Sequence, residues 1–259
     1  MKILSLIITC LLISVLDACS DRKPKEVLFI GNSLTYYHDM PVMLQAMLNE
    51  KDIRINIHQS TFPGVSLSDH LAKPKTLEKL RSQNWDFVIL QEGTVRVLIP
   101  EVREYNFVPT ILKLDSLIKL KKGQTILYQS YPISIYPKKY CYPSFLIKPE
   151  VPETKYCSDS IESSAEEFEI IQASFKQVSK SIQCEIAPVG LCFELCKKKY
   201  PELSLFESTG DTHPSILGSY LIACVFFKQL TGEKTAAVKY AGTLDQIDKL
   251  KINQIVDSL

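Results

Sequence analysis

From residue 26 onward, compact apolar runs alternate with longer segments whose apolar residues recur every three or four positions. Five of the runs are β-branched or aromatic and apolar on successive residues at their centres: EVLFI (26–30), IRINIHQS (53–60), DFVILQ (86–91), QTILYQS (124–130) and CEIAPVG (184–190). A strand buries successive side chains only when both of its faces are covered, so these runs predict parallel strands packed between helices. The segments between them predict helices over 41–50, 67–82, 102–121, 163–181 and 215–231. The last, SILGSYLIACVFFKQLTG, is apolar nearly all round and predicts a buried helix stopped at Gly232, where glycine takes the cap conformation without steric cost. Strands alternating with helices in this order predict one α/β domain, a five-stranded parallel sheet in a three-layer α/β/α sandwich.

The first residues follow a different pattern. Lys2 precedes an apolar run from Ile3 to Leu16, too short for an ordinary membrane span and the right length for the core of a secretory signal. The run ends in LDAC (16–19), which resembles a bacterial lipobox, in which the cysteine becomes the lipidated first residue of the mature protein. The other reading is an ordinary signal peptide cut nearby. The expected organisation is a lipoprotein signal over 1–18, a tether over 19–25 that starts at lipidated Cys19, and a single domain over 26–259. Either reading exports the chain, and the lipidated form is expected in the bacterial cell envelope, in the periplasm or at the outer membrane.

Composition then limits the partners. The 259 residues are 46% hydrophobic and 23% charged, with a formal net charge of +1 and no basic block, so no nucleic-acid footprint is present. No phosphate-binding glycine loop occurs and the four histidines are scattered, so no cofactor and no metal are expected. The chain is expected to be a monomer that touches a membrane only through its lipid anchor. Export also changes how the cysteines read. Cys184 and Cys224 sit in apolar runs as small hydrophobes, and Cys192 and Cys196 stand one helical turn apart. Cys141 and Cys157 flank a polar, proline-rich stretch, and an oxidising compartment allows a bridge between them.

Candidate chemistry lies at the strand exits. In an open parallel sheet the ligand site lies beyond the carboxyl ends of the strands, where Gly31-Asn32-Ser33 follows the first strand directly. Near the other end of the chain, Asp211 and His213 share a short polar loop before the buried helix. A serine nucleophile needs a base, and the base needs an acceptor that fixes its tautomer. His58 lies in a strand pattern and His70 in a helical one, as structural histidines do; His213 has a close acidic neighbour in a loop outside the sheet.

At these residues the chain resembles the SGNH (GDSL-like) hydrolases, and within them a branch of exported bacterial proteins. The likeness runs through FIGNSLTYYHDMP (29–41), FPGVSLSDHL (62–71), WDFVILQEGT (85–94), APVGLCF (187–193) and DTHPSILGSYLIACVFF (211–227), almost the whole mature chain. It implies a flavodoxin-like sheet, with Ser33 as nucleophile, His213 as base, and an oxyanion hole made by Ser33, Gly64 and an amide from the third block. Gly64 either offers its N–H to the oxyanion or merely turns the chain. The third block reads Gln91-Glu92-Gly93 where the family has Gly-x-Asn, so Gln91 is the expected amide donor. Asn32 and Glu92 are expected to order the site, Glu92 through the loop it sits in. The family's last block reads Asp-x-x-His, yet Gly210 stands three places before His213, which leaves Asp211 as the acid or the enzyme as a Ser-His dyad.

A segment over 131–160 is crowded with tyrosine and proline and lacks helical period. It is expected either as a lid-like insertion whose aromatic faces suit a sugar ring, or as a packed surface loop. The expected function is a serine esterase that removes acetyl or other small acyl groups from a carbohydrate. Two other readings stand beside it: a glycan-binding lipoprotein without turnover, and a lipid or aryl ester hydrolase.

Overall fold

The computed structural model describes residues 23–133, 135–148, 155–240 and 242–259. The signal sequence and Cys19 fall outside the described residues. Five parallel strands form the central sheet: β1 (Lys25–Gly31), β2 (Ile55–Thr61), β3 (Phe87–Gln91), β4 (Gln124–Tyr128) and, after a two-stranded insertion, β7 (Glu185–Ala187). Their order is β2-β1-β3-β4-β7, the flavodoxin-like arrangement, in which the chain reverses its direction of winding between β1 and β3. β1 begins at Lys25, one residue inside the expected tether.

The three layers follow from alternation along each strand. Val27 and Phe29 of β1, Ile89 of β3, and Ile126 and Tyr128 of β4 face one helical layer, which contains Met40–Glu50, Val189–Lys199, Ile216–Thr231 and Gln246–Asp257. Leu28, Ile30, Val88, Leu90 and Leu127 face the other, which contains Leu67–Ala72, Pro74–Ser82, Val108–Lys119 and Ser164–Ile182. The Ile216–Thr231 helix is enclosed on nearly every side, and it ends on Gly232 at φ +74°.

Several boundaries differ from the sequence expectation. The helix expected over 67–82 is two helices, because Pro74 clashes with a helical Lys73 and pushes that residue to φ −96°, ψ 111°. The helix expected over 102–121 runs as Val108–Lys119, with a π-type turn, Arg103–Phe107, before it. The strand expected over 184–190 stops at Ala187, and Val189–Lys199 is helical. The C-terminal helix Gln246–Asp257 was not expected. Its signals were the capping Asp245 and the buried Ile252, Ile255 and Val256 at helical spacing, diluted by exposed Ile247 and Leu250.

Within the insertion, β5 (Cys141–Pro143) and β6 (Lys155–Cys157) pair antiparallel, and Cys141 is disulfide-bonded to Cys157 opposite it. Buried Glu167, on the Ser164–Ile182 helix, accepts hydrogen bonds from the Tyr136 and Tyr140 hydroxyls and from the Ile133 N–H. The described part of the insertion is thereby tied to the Ser164–Ile182 helix.

Candidate active site

Ser33 is the first residue of a single helical turn, Ser33–Tyr36, entered straight from β1. Asn32 organises this entry with three groups. Its Oδ1 accepts the Leu34 N–H at 3.1 Å as a helix cap, its Nδ2 donates to the Val65 carbonyl at 3.1 Å, and its own N–H donates to Gln91 Oε1 at 2.8 Å. Asn32 therefore holds the Ser33 turn against the second and third blocks at once.

The glycine at 31 has a packing cause. The parallel register sets Ile30 opposite Leu90, so the next residues, Gly31 and Gln91, meet side by side at the strand ends. A Cβ at residue 31 would lie 2.5 Å from Gln91 Oε1 and 2.8 Å from Thr35 Oγ1. Only glycine leaves the volume that the glutamine occupies. The Gly31 carbonyl in turn accepts from His70 Nε2 at 2.9 Å, and Thr76 Oγ1 lies 2.8 Å from His70 Nδ1. His70 is wholly buried, and burial lowers its pKa, so this histidine is a neutral structural peg.

His213 arrives from the loop before the buried helix. Its Nε2 lies 2.9 Å from Ser33 Oγ and its Nδ1 lies 2.8 Å from Asp211 Oδ1. The same Asp211 oxygen accepts the His213 backbone N–H at 2.9 Å, the aspartate turn in which a carboxylate bonds two residues on. This local turn lets Asp211 face the imidazole from two places away, with Gly210 at φ +85° turning the chain before it. The His213 N–H and the imidazole hold the Asp211 carboxyl below the usual aspartate range, so it is an anion at neutral pH.

The cleft above these groups has a volume of about 320 Å³ and is lined by Ser33, Gly64, Glu92, Arg96, Tyr142 and His213 among others. Ser33 N–H heads a helix and has no intrahelical partner. Gly64 sits at φ +65°, a conformation that favours glycine, on the turn that Asn32 holds through Val65. Glu92 is buried. Its Oε2 accepts the Leu67 N–H at 3.0 Å and its Oε1 the Gly93 N–H at 2.8 Å, which joins the second block to the third. Burial raises its carboxyl pKa to about 7.

The structure thus brings Ser33, His213, Gly64, Asn32 and Glu92 to one cleft, with Asp211 against the far side of the His213 ring. Gln91 is placed differently. Its Oε1 is engaged by Asn32 N–H and by the Thr35 hydroxyl at 3.0 Å, it does not line the cleft, and its Nε2 is buried without a partner among the described residues. The expected amide donor instead lies beneath the Ser33 turn, because the strand register directs it toward Gly31.

The sequence reading named neither Tyr37 nor Arg96 at the site, and it covered Tyr142 only as one of the tyrosines of the 131–160 insertion. Tyr37 stacks on the His213 ring, and Arg96 and Tyr142 form one wall of the cleft. The tyrosine pair after Ser33 was a visible signal for Tyr37; Arg96 carried none. Among the described residues no group of histidine, cysteine, aspartate or glutamate is arranged to hold a metal ion.

The five-stranded parallel sheet between helical layers is that of the SGNH hydrolase fold. No protein-family model matches the chain, and no curated protein matches it in sequence. Solved structures do match. A DUF4886 family protein from Bacteroides uniformis superposes with a TM-score of 0.69 at 15% identity, over 91% of this chain and 94% of the other. A candidate SGNH hydrolase from Slackia heliotrinireducens gives 0.60 at 21% identity, over 80% and 100%. A variant of an acetyl xylan esterase from Geobacillus stearothermophilus gives 0.54 at 18% identity, over 82% and 96%. Identities this low establish a shared fold.

Proposed function

We propose that this chain is a serine ester hydrolase that removes acetyl or similarly small acyl groups from a carbohydrate. The observation that carries the reading is the continuous relay from Asp211 Oδ1 through both nitrogens of His213 to Ser33 Oγ, at 2.8 and 2.9 Å. Asp211 fixes the tautomer with the proton on Nδ1, which leaves Nε2 as an acceptor for the serine proton.

In the first half-reaction Ser33 Oγ attacks the acyl carbon and its proton passes to His213 Nε2. The carbonyl oxygen becomes an oxyanion beside the N–H groups of Ser33 and Gly64, each such donor typically contributing about 3 kcal/mol to barrier lowering. Collapse breaks the bond to the sugar oxygen, which leaves as an alcohol with the proton from His213. Water, deprotonated by the same nitrogen, then releases the carboxylic acid and restores Ser33.

The sugar assignment is supported by the open cleft with Tyr142 in its wall and by the acetyl xylan esterases among the structural neighbours. Glycan binding without turnover rests on Gly210 standing where the family has its acid; the contact of Asp211 with His213 supports the esterase reading instead. The deciding measurement is hydrolysis of a chromogenic acetyl ester by purified protein beside Ser33→Ala. Equal rates in the two would refute the esterase. The reading includes export and anchoring at Cys19, supported by the sequence of the first residues; radiolabelled palmitate that is incorporated equally by Cys19→Ala would refute the anchor.

A further inference from the structure

Arg96 stands on the helical turn Thr94–Leu98, directly after the third block, and lines the same cleft as Ser33 and His213. Its anchors are neutral. Nη1 donates to Asn106 Oδ1 at 3.1 Å, Nη2 donates to the Tyr142 hydroxyl, and the guanidinium lies 4.6 Å from the centre of the Tyr142 ring. Among the described residues no carboxylate pairs with it.

Two acids lie within reach of its field, and both are committed elsewhere. Asp69 accepts from the Ser66 N–H and hydroxyl, and Glu92 accepts from the Leu67 and Gly93 N–H groups. Arg96 thus lines the cleft with no carboxylate bonded to it among the described residues. Of the five N–H donors of a guanidinium, the two bonds to Asn106 and Tyr142 leave three. Two donors in the plane of the fork are what a carboxylate takes.

The disulfide hairpin has a place in the same arrangement. Tyr142 lies next to Cys141 on β5, so the bridge to β6 fixes the ring that supports Arg96. A guanidinium clamped by an amide, a hydroxyl and a ring face has little motion left to lose on binding.

We infer that Arg96, braced by Tyr142, is a specificity-determining subsite for a carboxylate on the substrate, so that the esters taken here are acyl esters of a uronic acid residue. The inference rests on the esterase reading and narrows its substrate class. The carboxylate could stand on the sugar or at the far end of a dicarboxylic acyl group; the sugar is favoured because a small acyl group must sit at Ser33 while Arg96 lies on the wall beside it.

The test compares kcat/KM for an acetylated methyl glucuronide with that for its neutral methyl ester, alongside p-nitrophenyl hemisuccinate against p-nitrophenyl acetate. The expected result is a preference of about tenfold or more for the free uronate, which falls to near unity in Arg96→Gln. Parity in the wild type, a preference that survives in Arg96→Gln, or a preference confined to the hemisuccinate would each overturn the assignment. If Arg96→Gln does not fold, the wild-type preference decides through salt. An ion pair weakens between about 0.05 and 0.5 M NaCl, and a preference indifferent to salt refutes it. Calorimetric titration of Ser33→Ala with the uronate and its methyl ester reads the subsite without turnover. Absence of hydrolysis with intact discrimination there would sink the esterase and spare the subsite, whereas hydrolysis without discrimination does the reverse.

Discussion

The Tyr37 ring lies nearly parallel to the His213 imidazole, with centroids 4.2 Å apart and 15° between the planes. The tyrosine is itself held: Ser219 Oγ donates to its carbonyl at 3.0 Å, and the next two residues, His38 and Asp39, take left-handed backbone conformations at φ 49° and 54°. His38 contacts Glu207, whose N–H donates to the His213 carbonyl at 3.1 Å. The segment after Ser33 therefore clamps the His213 loop from both sides.

This clamp predicts that Tyr37 acts by setting the plane of the imidazole. Tyr37→Ala should lower kcat by about 10- to 100-fold with KM nearly unchanged, since a small misplacement of a catalytic group carries a cost of that order. Tyr37→Phe keeps the ring face and should restore the rate. Steady-state kinetics of both variants check this, and an unaffected kcat in Tyr37→Ala would refute it.

Asp211 tests the two-residue spacing of the acid. Asp211→Asn should fold normally and lose about 10⁴-fold in kcat, the loss expected when the imidazole takes the wrong tautomer. A loss under about tenfold would mean that His213 needs no acid.

Gln91 separates an oxyanion donor from a brace. Gln91→Leu strands the buried Asn32 N–H and Thr35 hydroxyl, so unfolding in urea should show a loss of about 3 kcal/mol together with lost activity. Unchanged stability with a fall in kcat alone would instead mean that the amide reaches the oxyanion.

Glu92 predicts a pH signature. The folded carboxyl titrates near 7 and an unfolded glutamate near 4.5, so between these values the folded state holds the extra proton. Its contribution to stability is present below pH 4.5 and is lost as pH rises through 7, by about 3 kcal/mol in all. Wild-type stability relative to Glu92→Gln should fall by that amount from pH 4.5 to 8, measured by urea unfolding. Parallel curves for the two proteins would contradict it.

The sequence by itself determined the layers of this protein and the location of its candidate site. Apolar residues on successive strand positions require cover on both faces, and the helical period of the segments between supplies that cover, so strand exits such as Gly31-Asn32-Ser33 become the place for a site. Periodicity records which face an element buries; it does not record where a side chain at the end of that element points. Tertiary structure decided that. The register of β1 against β3 turned Gln91 under Gly31, and the Asp211 turn set a carboxylate two places from His213 against its imidazole, where the family's block has its acid three places away. It also brought His213 to Ser33 across 180 residues, and seated Arg96 on Tyr142 through a hairpin closed by Cys141 and Cys157. Apart from the local Asp211 turn, each of these relations joins segments far apart in the chain, and their geometry exists only once the sheet has fixed the distances between strand ends.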